Sequence, residues 1–387
     1  MTTTKSLIRR EILTQRIRSA LRRSPVVALL GPRQCGKTTL AETVEPRAVR
    51  FDLEDPAALG ALDAPMATLG PLEGLIVFDE ILRLPSLFAA LRVRADKASE
   101  SKRFLILGSA SPELVAGASE SLAGRVEFVD MGGFSLDEVG VESWRRLWWR
   151  GGFPRSFLAE SDEDSSVWRE NFARTFLERD IPQLGLRIAP LNLRRFWTIV
   201  AHYHGKVWNH AEVGSALGLD EKTVRRYLDV LAGAFMLRVL PPWFENVGKR
   251  QRKAPKAYVR DSGMLHTLLS LDSPERMLSH PALGASFEGF ALELVAEALP
   301  TRDLYYWAVH SGPELDLLAF VSGRRVGFEF KYSDAPTLTP SMTQALEHLQ
   351  LDALKVVYPG TRRYSLGERV EALPLADAVE WARRGAS

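Results

Sequence analysis

The chain has little cysteine, no long apolar run and almost no net charge. One cysteine among 387 residues excludes an internal disulfide and a cysteine-based metal cluster, which fits a reducing compartment. No apolar run approaches the roughly 20 residues that span a bilayer, and the basic N-terminus lacks a signal-peptide core. We therefore expect a cytoplasmic protein with no membrane partner. A formal charge of +2 means that any DNA contact must come from a local patch.

The length and composition indicate a folded protein of several domains. Hydrophobic residues make up 46% and charged residues 25% of the chain, which is ordinary for globular proteins. A chain of this length has room for two or three domains, each with its own core. Gly151, Gly152 and Pro154 interrupt the sequence and predict a boundary just before them.

A phosphate-binding loop is the strongest signal in the sequence. The stretch from Gly31 to Thr38 satisfies GxxxxGK[ST], follows the apolar run Val26–Leu30 and opens a helix near Thr39. Backbone N–H groups of such a loop converge on phosphate oxygens, and the helix dipole adds positive charge. Lys37 would reach the β- and γ-phosphates, while the Thr38 hydroxyl would hold Mg²⁺. The predicted nucleotide-binding residues are Gly31, Arg33, Gly36, Lys37, Thr38 and Thr39.

A second strand ends in two adjacent carboxylates, Asp79 and Glu80, after the apolar run Gly74–Phe78. Asp79 would meet Mg²⁺ through water, and Glu80 would orient or deprotonate the attacking water. This pair favours hydrolysis over nucleotide storage. An NKxD motif for guanine is absent, so we expect ATP and Mg²⁺ as cofactors.

Two further residues complete the predicted catalytic set. Ser109, with Ser111 as second choice, follows the apolar run that begins at Phe104, and its hydroxyl could sense the γ-phosphate. Arg125 could reach a neighbouring subunit's phosphate and stabilise transition-state charge. The alternative for Arg125 is a surface ion pair.

The chain resembles the prokaryotic AAA-type ATPases that carry a C-terminal domain of unknown function. Five motifs occur in order: Gly31–Leu40, Phe78–Pro85, Leu107–Ser111, Leu122–Arg125 and Arg150–Pro154. The resemblance implies an α/β fold with an AAA+-like parallel-sheet core, a winged helix-turn-helix and a restriction-endonuclease-like domain. We assign these to residues 1–145, 146–275 and 276–387, and we expect the basic, amphipathic stretch Lys5–Leu13 to be a helix packed on the ATPase domain. Arg150 or Arg155 could touch nucleotide, although a structural turn is the favoured alternative.

The middle region has the pattern of a DNA-binding helix pair. His210–Leu219 predicts a helix and a glycine turn, and Asp220 caps a second helix over Glu221–Leu231. We expect a strand pair to follow, Ala234–Leu240 and Ala257–Val259. A basic wing around Lys249–Lys253 lies between these strands, with Lys256 and Arg260 nearby. The predicted DNA contacts are Lys222, Thr223, Arg225, Arg226, Lys249, Arg250, Arg252 and Lys253. The alternative is a winged helix that contacts only protein.

The last third resembles the PD-(D/E)XK nuclease pattern. Glu329 and Lys331 lie two residues apart on a predicted strand and so share a face. Asp316 and Glu329 would bind Mg²⁺, Glu288 would support them, and Lys331 would position water. Glu314 is a substitute carboxylate. Three alternatives stay open: a salt-bridged strand pair, a nuclease-like fold that does not cut, and metal-dependent cleavage.

Two functional classes follow from these motifs. The first is a Mg²⁺-dependent ATPase that assembles as a homo-oligomer, a hexamer being one candidate. It remodels or translocates on duplex or branched DNA, with nuclease activity as an open addition. The second is a nucleotide-dependent switch that binds a protein partner or regulates transcription, with an inactive nuclease-like domain.

Overall fold

The computed structural model describes residues 7–97, 102–109, 118, 120–183, 188–245, 251–310 and 312–385. These fall into two compact units. The first comprises the chain up to Phe134 with residues 233–235, and the second comprises residues 135–232 and the chain from Met236 onward. Within the described ranges, no helix combines the length and the apolar character that crossing a membrane requires.

The first unit is built on a five-stranded parallel sheet of order β2-β3-β4-β1-β5. In this sheet β1 pairs with both β4 and β5, and β3 pairs with β2 and β4. All strands run in the same direction, so their carboxyl ends meet at one edge. The strands are β1 (Val26–Gly31), β2 (Val49–Asp52), β3 (Gly74–Asp79), β4 (Lys102–Ser109) and β5 (Val126–Asp130).

Helices cover both faces of this sheet. Among the described residues they are α1 (Glu11–Arg23), α2 (Lys37–Val44), α3 (Pro56–Ala61), α4 (Pro65–Thr68) and α5 (Leu87–Asp96), with a 3₁₀ turn at Ile81–Arg83. Because successive side chains of a strand point to opposite faces, Ala28 packs into one core cluster and Leu29 into the other. Every residue of β1 is buried, so the sheet is an inner layer.

The helix at the N-terminus begins later than the sequence suggested. We expected it from about Lys5, but α1 begins at Glu11 and ends at Arg23. Its apolar stripe, which includes Ile17 and Ala20, packs in the same cluster as Leu29 and Leu40. The prediction that this helix packs on the ATPase domain is confirmed.

The second unit combines helices with a small antiparallel hairpin and a larger sheet. Its described helices are α6 (Leu136–Val139), α7 (Trp144–Arg150), α8 (Pro154–Phe157), α9 (Asp162–Thr175), α10 (Ile181–Gln183), α11 (Pro190–His202), α12 (His210–Leu217), α13 (Glu221–Gly233), α14 (Ser262–Leu268), α15 (Pro274–Leu278), α16 (Leu283–Ala298), α17 (Pro340–His348) and α18 (Leu375–Arg384), with a 3₁₀ turn at Val141–Ser143 and a π turn at Phe176–Asp180.

The predicted helix pair and strand pair of the middle region are present. The Asn209 side chain caps α12, and Gly218 ends it in the left-handed conformation. Helix α13 follows directly, and strands β6 (Leu237–Leu240) and β7 (Lys256–Val259) pair antiparallel behind it. Residues 241–243 and 251–252 lie along the edge of β8, where Trp243 N–H donates to Tyr306 O at 2.7 Å and Arg252 N–H to Ala308 O at 3.0 Å.

The C-terminal sheet has six strands in the order β12-β13-β11-β10-β9-β8. Strand β9 pairs antiparallel with β8 and β10, β11 pairs parallel with β10 and β13, and β12 pairs antiparallel with β13. The strands are β8 (Leu304–Ala308), β9 (Glu314–Val321), β10 (Arg324–Phe330), β11 (Ala353–Tyr358), β12 (Tyr364–Gly367) and β13 (Val370–Pro374). The predicted boundary near residue 275 lies inside this second compact unit, and the three-part division stays a prediction.

Two buried histidines make the second unit sensitive to acid. The Nδ1 atom of His204 accepts a hydrogen bond from Val259 N–H at 3.0 Å, and His266 Nε2 lies 2.8 Å from Ser286 Oγ. Burial lowers the pKa of each imidazole from 6.5 to about 3. An unfolded chain therefore binds more protons than the folded chain between these pH values.

Each histidine should therefore lower the free energy of unfolding by about 1.4 kcal/mol per pH unit as the pH drops below about 6.5, and this contribution is the difference between wild type and a histidine variant. Urea denaturation at pH 7 and pH 5 measures this change. His266→Gln should remove about half of the histidine-dependent loss, whereas His202→Gln, at an exposed position of α11, should leave it intact. An unchanged slope in His266→Gln would contradict the neutral buried imidazole.

Candidate functional site

The phosphate loop connects β1 to α2 through backbone conformations that restrict its sequence. Gly36 has φ +95° and Gln34 has φ +62°, a region that glycine tolerates and that other residues enter with strain. A Cβ on Gly31 would lie 2.2 Å from Met131 O, so only glycine fits between β1 and the chain after β5. Helix α2 begins at Lys37, and the N–H groups of its first turn have no partner within the helix.

A residue outside the motif supports this loop. Arg10 is 7% exposed, and its guanidinium donates to Cys35 O at 3.2 Å, Gly132 O at 3.2 Å and Gly133 O at 2.5 Å. The loop is thereby tied to the segment after β5. Arg10 was not among the predicted site residues, because the only signal was a basic residue far from the motif in sequence.

Lys37 is buried within the loop itself. Its side chain is 7% exposed, and its ammonium donates to Gly31 O at 3.0 Å and to Pro32 O at 2.9 Å. The positive charge is thus held by carbonyls that the loop supplies. This arrangement fits a triphosphate, because the ammonium is a mobile point charge beside unpaired N–H groups.

Thr38 and Asp79 bring two oxygen donors together. The Thr38 hydroxyl donates to Asp79 Oδ2 at 2.7 Å, while Asp79 Oδ1 accepts from Glu80 N–H at 3.0 Å. A hydroxyl and a carboxylate are ligands that Mg²⁺ accepts, with phosphate oxygens and water completing its shell. The residues present therefore fit the expected Mg²⁺–nucleotide complex.

Glu80 is held in a strained and partly buried position. Its φ of +53° and ψ of +48° place it in the left-handed region, which is uncommon for glutamate and often marks functional sites. Burial raises the pKa of its carboxyl group, and the nearby cations of Arg33 and Lys37 oppose that rise. Arg33 Nη2 lies 3.9 Å from Glu80 Oε2. A carboxylate with a raised pKa suits proton transfer near neutral pH.

Ser109 and Thr39 lie at the same edge of the sheet. Ser109 is the last residue of β4 and pairs in register with Gly31 of β1. Strand β4 lies between β1 and β3, so Ser109 falls between the phosphate loop and Asp79. The Ser109 side chain and the whole of Ser111 lie outside the described residues. Thr39 is exposed in the first turn of α2.

Arg125 lies at the opposite edge of the sheet. It directly precedes β5, and its carbonyl accepts from Val26 N–H at the start of β1. The length of β1, about 20 Å at 3.3 Å per residue, separates it from the loop of its own chain. Its guanidinium binds both oxygens of Asp96, with Nη2 3.1 Å from Oδ2. The ion-pair alternative is thus present, and a role toward a neighbouring subunit stays a prediction.

The four predicted nuclease-like residues come together in the second unit. Lys331 Nζ lies 2.8 Å from Glu329 Oε2 and 3.9 Å from Asp316 Oδ2. The Asp316 carboxylate also accepts from Phe330 N–H at 3.0 Å. Glu288 reaches the cluster from α16, and the Tyr258 hydroxyl donates to its Oε1 at 2.8 Å.

A fifth side chain, Lys256, enters this cluster from β7. We expected it beside the basic wing, which was wrong: it is 2% exposed and contacts three carboxylates. Its Nζ lies 3.5 Å from Glu288 Oε1 and 3.7 Å from Asp316 Oδ1, and it also pairs with Glu314. No local pattern indicated this contact, because it joins residues that are far apart in the chain.

The charges of this cluster do not favour a metal ion. Burial and the neighbouring Asp316 raise the pKa of Glu288 to about 7 and that of Glu329 to about 8. Desolvation opposes the charge of both ammonium groups, but their neighbours raise the pKa of each lysine: Tyr258 and Glu288 beside Lys256, and Asp316 and Glu329 beside Lys331. In the part of the chain that the structure describes, no group of three or more His, Cys, Asp or Glu side chains is arranged to hold a metal. The residues present therefore do not fit the expected nuclease metal.

Three of the predicted DNA contacts on α13 are exposed. Lys222, Arg225 and Arg226 lie on its solvent face. Thr223 has a capping role instead, since its N–H and hydroxyl both donate to Asp220, each at 2.9 Å.

The wing residues differ in their surroundings. Arg252 and Lys253 are exposed and line a groove of about 730 Å³ with the start of α12 and with His310. Arg260, which we expected beside the wing, instead pairs with Glu293 and Glu297, so that expectation was wrong. Lys249 and Arg250 lie outside the described residues.

Arg150 belongs to the structural framework of the second unit. Its guanidinium pairs with Asp162 and donates to Ala159 O at 2.6 Å. Gly151 follows at φ +77°, where the Asp261 carboxylate leaves no room for a Cβ. The favoured interpretation of this motif as a turn agrees with these contacts. Arg155 is exposed.

Three stretches of the chain match protein-family models. Residues 23–140 match a model described as an AAA domain, residues 141–275 match a domain of unknown function (DUF8612), and residues 283–378 match another (DUF4143). Together with the parallel sheet and its loop, the first match makes the first unit a P-loop ATPase domain.

Two curated relatives resemble almost the whole chain. They are the uncharacterized proteins Mb2031c of Mycobacterium bovis and Rv2008c of Mycobacterium tuberculosis. Each is 50% identical over 375 residues, which is 96% of this chain and 85% of the relative. The chain belongs to the same family as these mycobacterial proteins.

Some solved structures are similar at low identity. The Walker-type ATPase PABY2304 of Pyrococcus abyssi is 14% identical, with a TM-score of 0.48 over 69% of this chain and 97% of that one. The STAND protein PH0952 of Pyrococcus horikoshii, which has a tetratricopeptide repeat sensor, is 14% identical, with a TM-score of 0.31 over 76% and 48%.

The contacts of Lys37 predict its effect on nucleotide affinity. Lys37→Ala removes a charged donor, and we expect Mg²⁺–ATP affinity to fall roughly tenfold to a hundredfold. Equilibrium titration with a fluorescent ATP analogue measures the change. Lys97→Ala, which removes an exposed lysine of the same unit, is the matched control and should bind like the wild type. Equal affinity in the two variants would contradict the predicted role of Lys37.

Proposed function

We propose that the chain is a Mg²⁺-dependent ATPase that binds DNA and remodels it or translocates along it. The observation that carries the proposal is the arrangement of Thr38, Asp79 and Glu80 beside the phosphate loop. A hydroxyl and a carboxylate lie 2.7 Å apart, and a strained glutamate follows directly. A protein that only binds nucleotide does not need a second carboxylate, Glu80, next to the metal ligand Asp79, whereas hydrolysis uses one to position water.

Lys37, Glu80 and Arg33 would each have a separate role in hydrolysis. The two carbonyl partners of Lys37 hold its charge in place before nucleotide binds. On binding, Lys37 would exchange these carbonyls for phosphate oxygens. Glu80 would orient the attacking water and accept its proton, a task that suits its raised pKa. Arg33, 3.9 Å from Glu80, would keep that carboxylate in position. Bound Mg²⁺ would supply Lewis-acid charge at the phosphate oxygens.

A basic surface of the second unit supports DNA as the partner. Arg252 and Lys253 line the 730 Å³ groove together with His210 and Glu221. Lys222, Arg225 and Arg226 continue the exposed positive charge along α13. Such residues would bind phosphates and fix the position of a nucleic acid without reading its sequence.

The position of Arg125 supports a homo-oligomer of up to six subunits. Its own phosphate loop is a full strand length away, so only a neighbouring subunit's nucleotide could be within its reach. Its ion pair with Asp96 (half exposed) is weak and open to exchange.

The second candidate is a nucleotide-dependent switch that binds a protein partner or regulates transcription. The observation that favours it is the neutralised carboxylate cluster, because a nuclease-like fold that holds lysine in place of metal is suited to binding. The order of α16, β8, β9, β10, α17 and β11 supports a restriction-endonuclease-like fold under both candidates.

Hydrolysis measurements separate the two candidates. The ATPase should hydrolyse Mg²⁺–ATP at steady state, and single-stranded, duplex or branched DNA should raise its rate several-fold. Glu80→Gln should lower the rate about 10²- to 10⁴-fold, as expected for loss of a general base, while nucleotide binding is retained. Slow turnover that no form of DNA changes would support the switch.

The basic groove predicts a salt-dependent DNA affinity. Replacing both Arg252 and Lys253 by alanine should weaken binding similarly for all sequences and reduce the salt slope by about 2. Fluorescence anisotropy at several salt concentrations measures both effects. Replacing Arg194 and Arg195, which are exposed on α11, removes the same charge elsewhere and should change neither. Equal losses in the two double variants would show that net charge alone governs the affinity.

A further inference from the structure

The carboxylate cluster of the second unit contains a cation supplied by the chain itself. Lys256 Nζ lies 3.5 Å from Glu288 Oε1 and 3.7 Å from Asp316 Oδ1, and it pairs with Glu314. These carboxylates come from α16 and β9, whereas the lysine comes from β7. The ammonium group therefore lies among the oxygen atoms that a divalent ion would need.

The backbone around Lys256 is held on two sides. Leu240 of β6 pairs with it in register, and Val207 forms a bridge with it on the other side. The adjoining residues are fixed as well, since Trp208 N–H donates to Pro255 O at 2.7 Å and Gly205 N–H donates to Ala257 O at 3.0 Å. The ammonium cannot leave the cluster by a shift of β7 unless these bonds break.

The side chain has little freedom either. It is 2% exposed, and its ammonium lies 5.6 Å from the centre of the Tyr306 ring. Lys331 contacts Asp316 from the other side, at 3.9 Å. The Asp316 carboxylate thus has an ammonium beside each of its oxygens, and a metal ion there would face two positive charges within a few ångströms.

We propose that Lys256 is the resident cation of this cluster and that it excludes Mg²⁺ and Mn²⁺ from Asp316, Glu288 and Glu314. The cluster then acts as an ionic link between β7 and the C-terminal sheet, and the chain as folded does not cut nucleic acid with a metal bound there. This inference is independent of ATP hydrolysis in the first unit.

The test is a titration with Mn²⁺ in the absence of nucleotide. The electron paramagnetic resonance signal of free Mn²⁺ measures how much of the ion the protein has bound. Wild type and Asp316→Asn should bind the same amount of Mn²⁺, because position 316 forms no Mn²⁺ site in either protein. Lys256→Met should gain one Mn²⁺ per chain, and Lys256→Met with Asp316→Asn should lose it again. Each protein is compared with its own Asp316→Asn variant. Any Mn²⁺ bound at the phosphate loop is the same in both and therefore cancels.

Lys355→Met is the matched control. Lys355 is also a buried lysine of this unit, paired with a single carboxylate, Glu371, and its loss should create no Mn²⁺ site. Mn²⁺ binding by wild type that Asp316→Asn abolishes would overturn the proposal. So would a folded Lys256→Met variant that gains no site.

If the substitution of Lys256 destabilises the protein, thermal unfolding with and without Mn²⁺ still tests the proposal. Removing Lys256 leaves buried carboxylates unpaired, so the midpoint of Lys256→Met and of Lys256→Gln should fall, and Mn²⁺ should raise it again. Wild type and Lys355→Met should show no such rise. Variants that stay unfolded in Mn²⁺ would show that a metal cannot replace the lysine, and would overturn the proposal.

Discussion

The parallel pairing of β1, β4 and β3 is the constraint on which the nucleotide site depends. Parallel strands end at one edge, so the loop after β1, Ser109 at the end of β4 and Asp79 at the end of β3 are brought side by side. The Thr38–Asp79 hydrogen bond is a direct result of this order. A different strand order would leave the same motifs intact in sequence and separate in space.

Buried charge pairing organises the second unit in a comparable way. Arg238 and Arg260 share Glu293, which lowers the pKa of that carboxyl group to about 2. Lys256 and Lys331 share Asp316. Arg238, Lys256 and Arg260 come from the hairpin or directly follow it, and they meet carboxylates of α16 or β9. Because unpaired charges are costly to bury, these pairs hold the middle and C-terminal parts of the chain together.

The two regions differ in how far local pattern predicts them. The apolar strand before Gly31, the apolar strand before Asp79 and the capped helices α12 and α13 were predicted because their signals lie within a few residues. The start of α1 was misplaced, since the residue that precedes the helix, Arg10, makes no side-chain cap hydrogen bond and so carries no local start signal. The basic wing was overestimated, because Lys256 and Arg260 look like surface residues until their strand is paired.

The sequence by itself determined the phosphate loop, the acidic end of β3, the helix pair and the four nuclease-like positions. Spacing suffices there, because a motif of eight residues fixes its own turn and helix start. Only the tertiary structure decided that Arg10 supports the loop, that Arg125 lies at the far edge paired with Asp96, and that Lys256 fills the carboxylate cluster. These contacts join residues 25 to 123 positions apart, and the partner of a buried charge depends on strand pairing that no local pattern encodes.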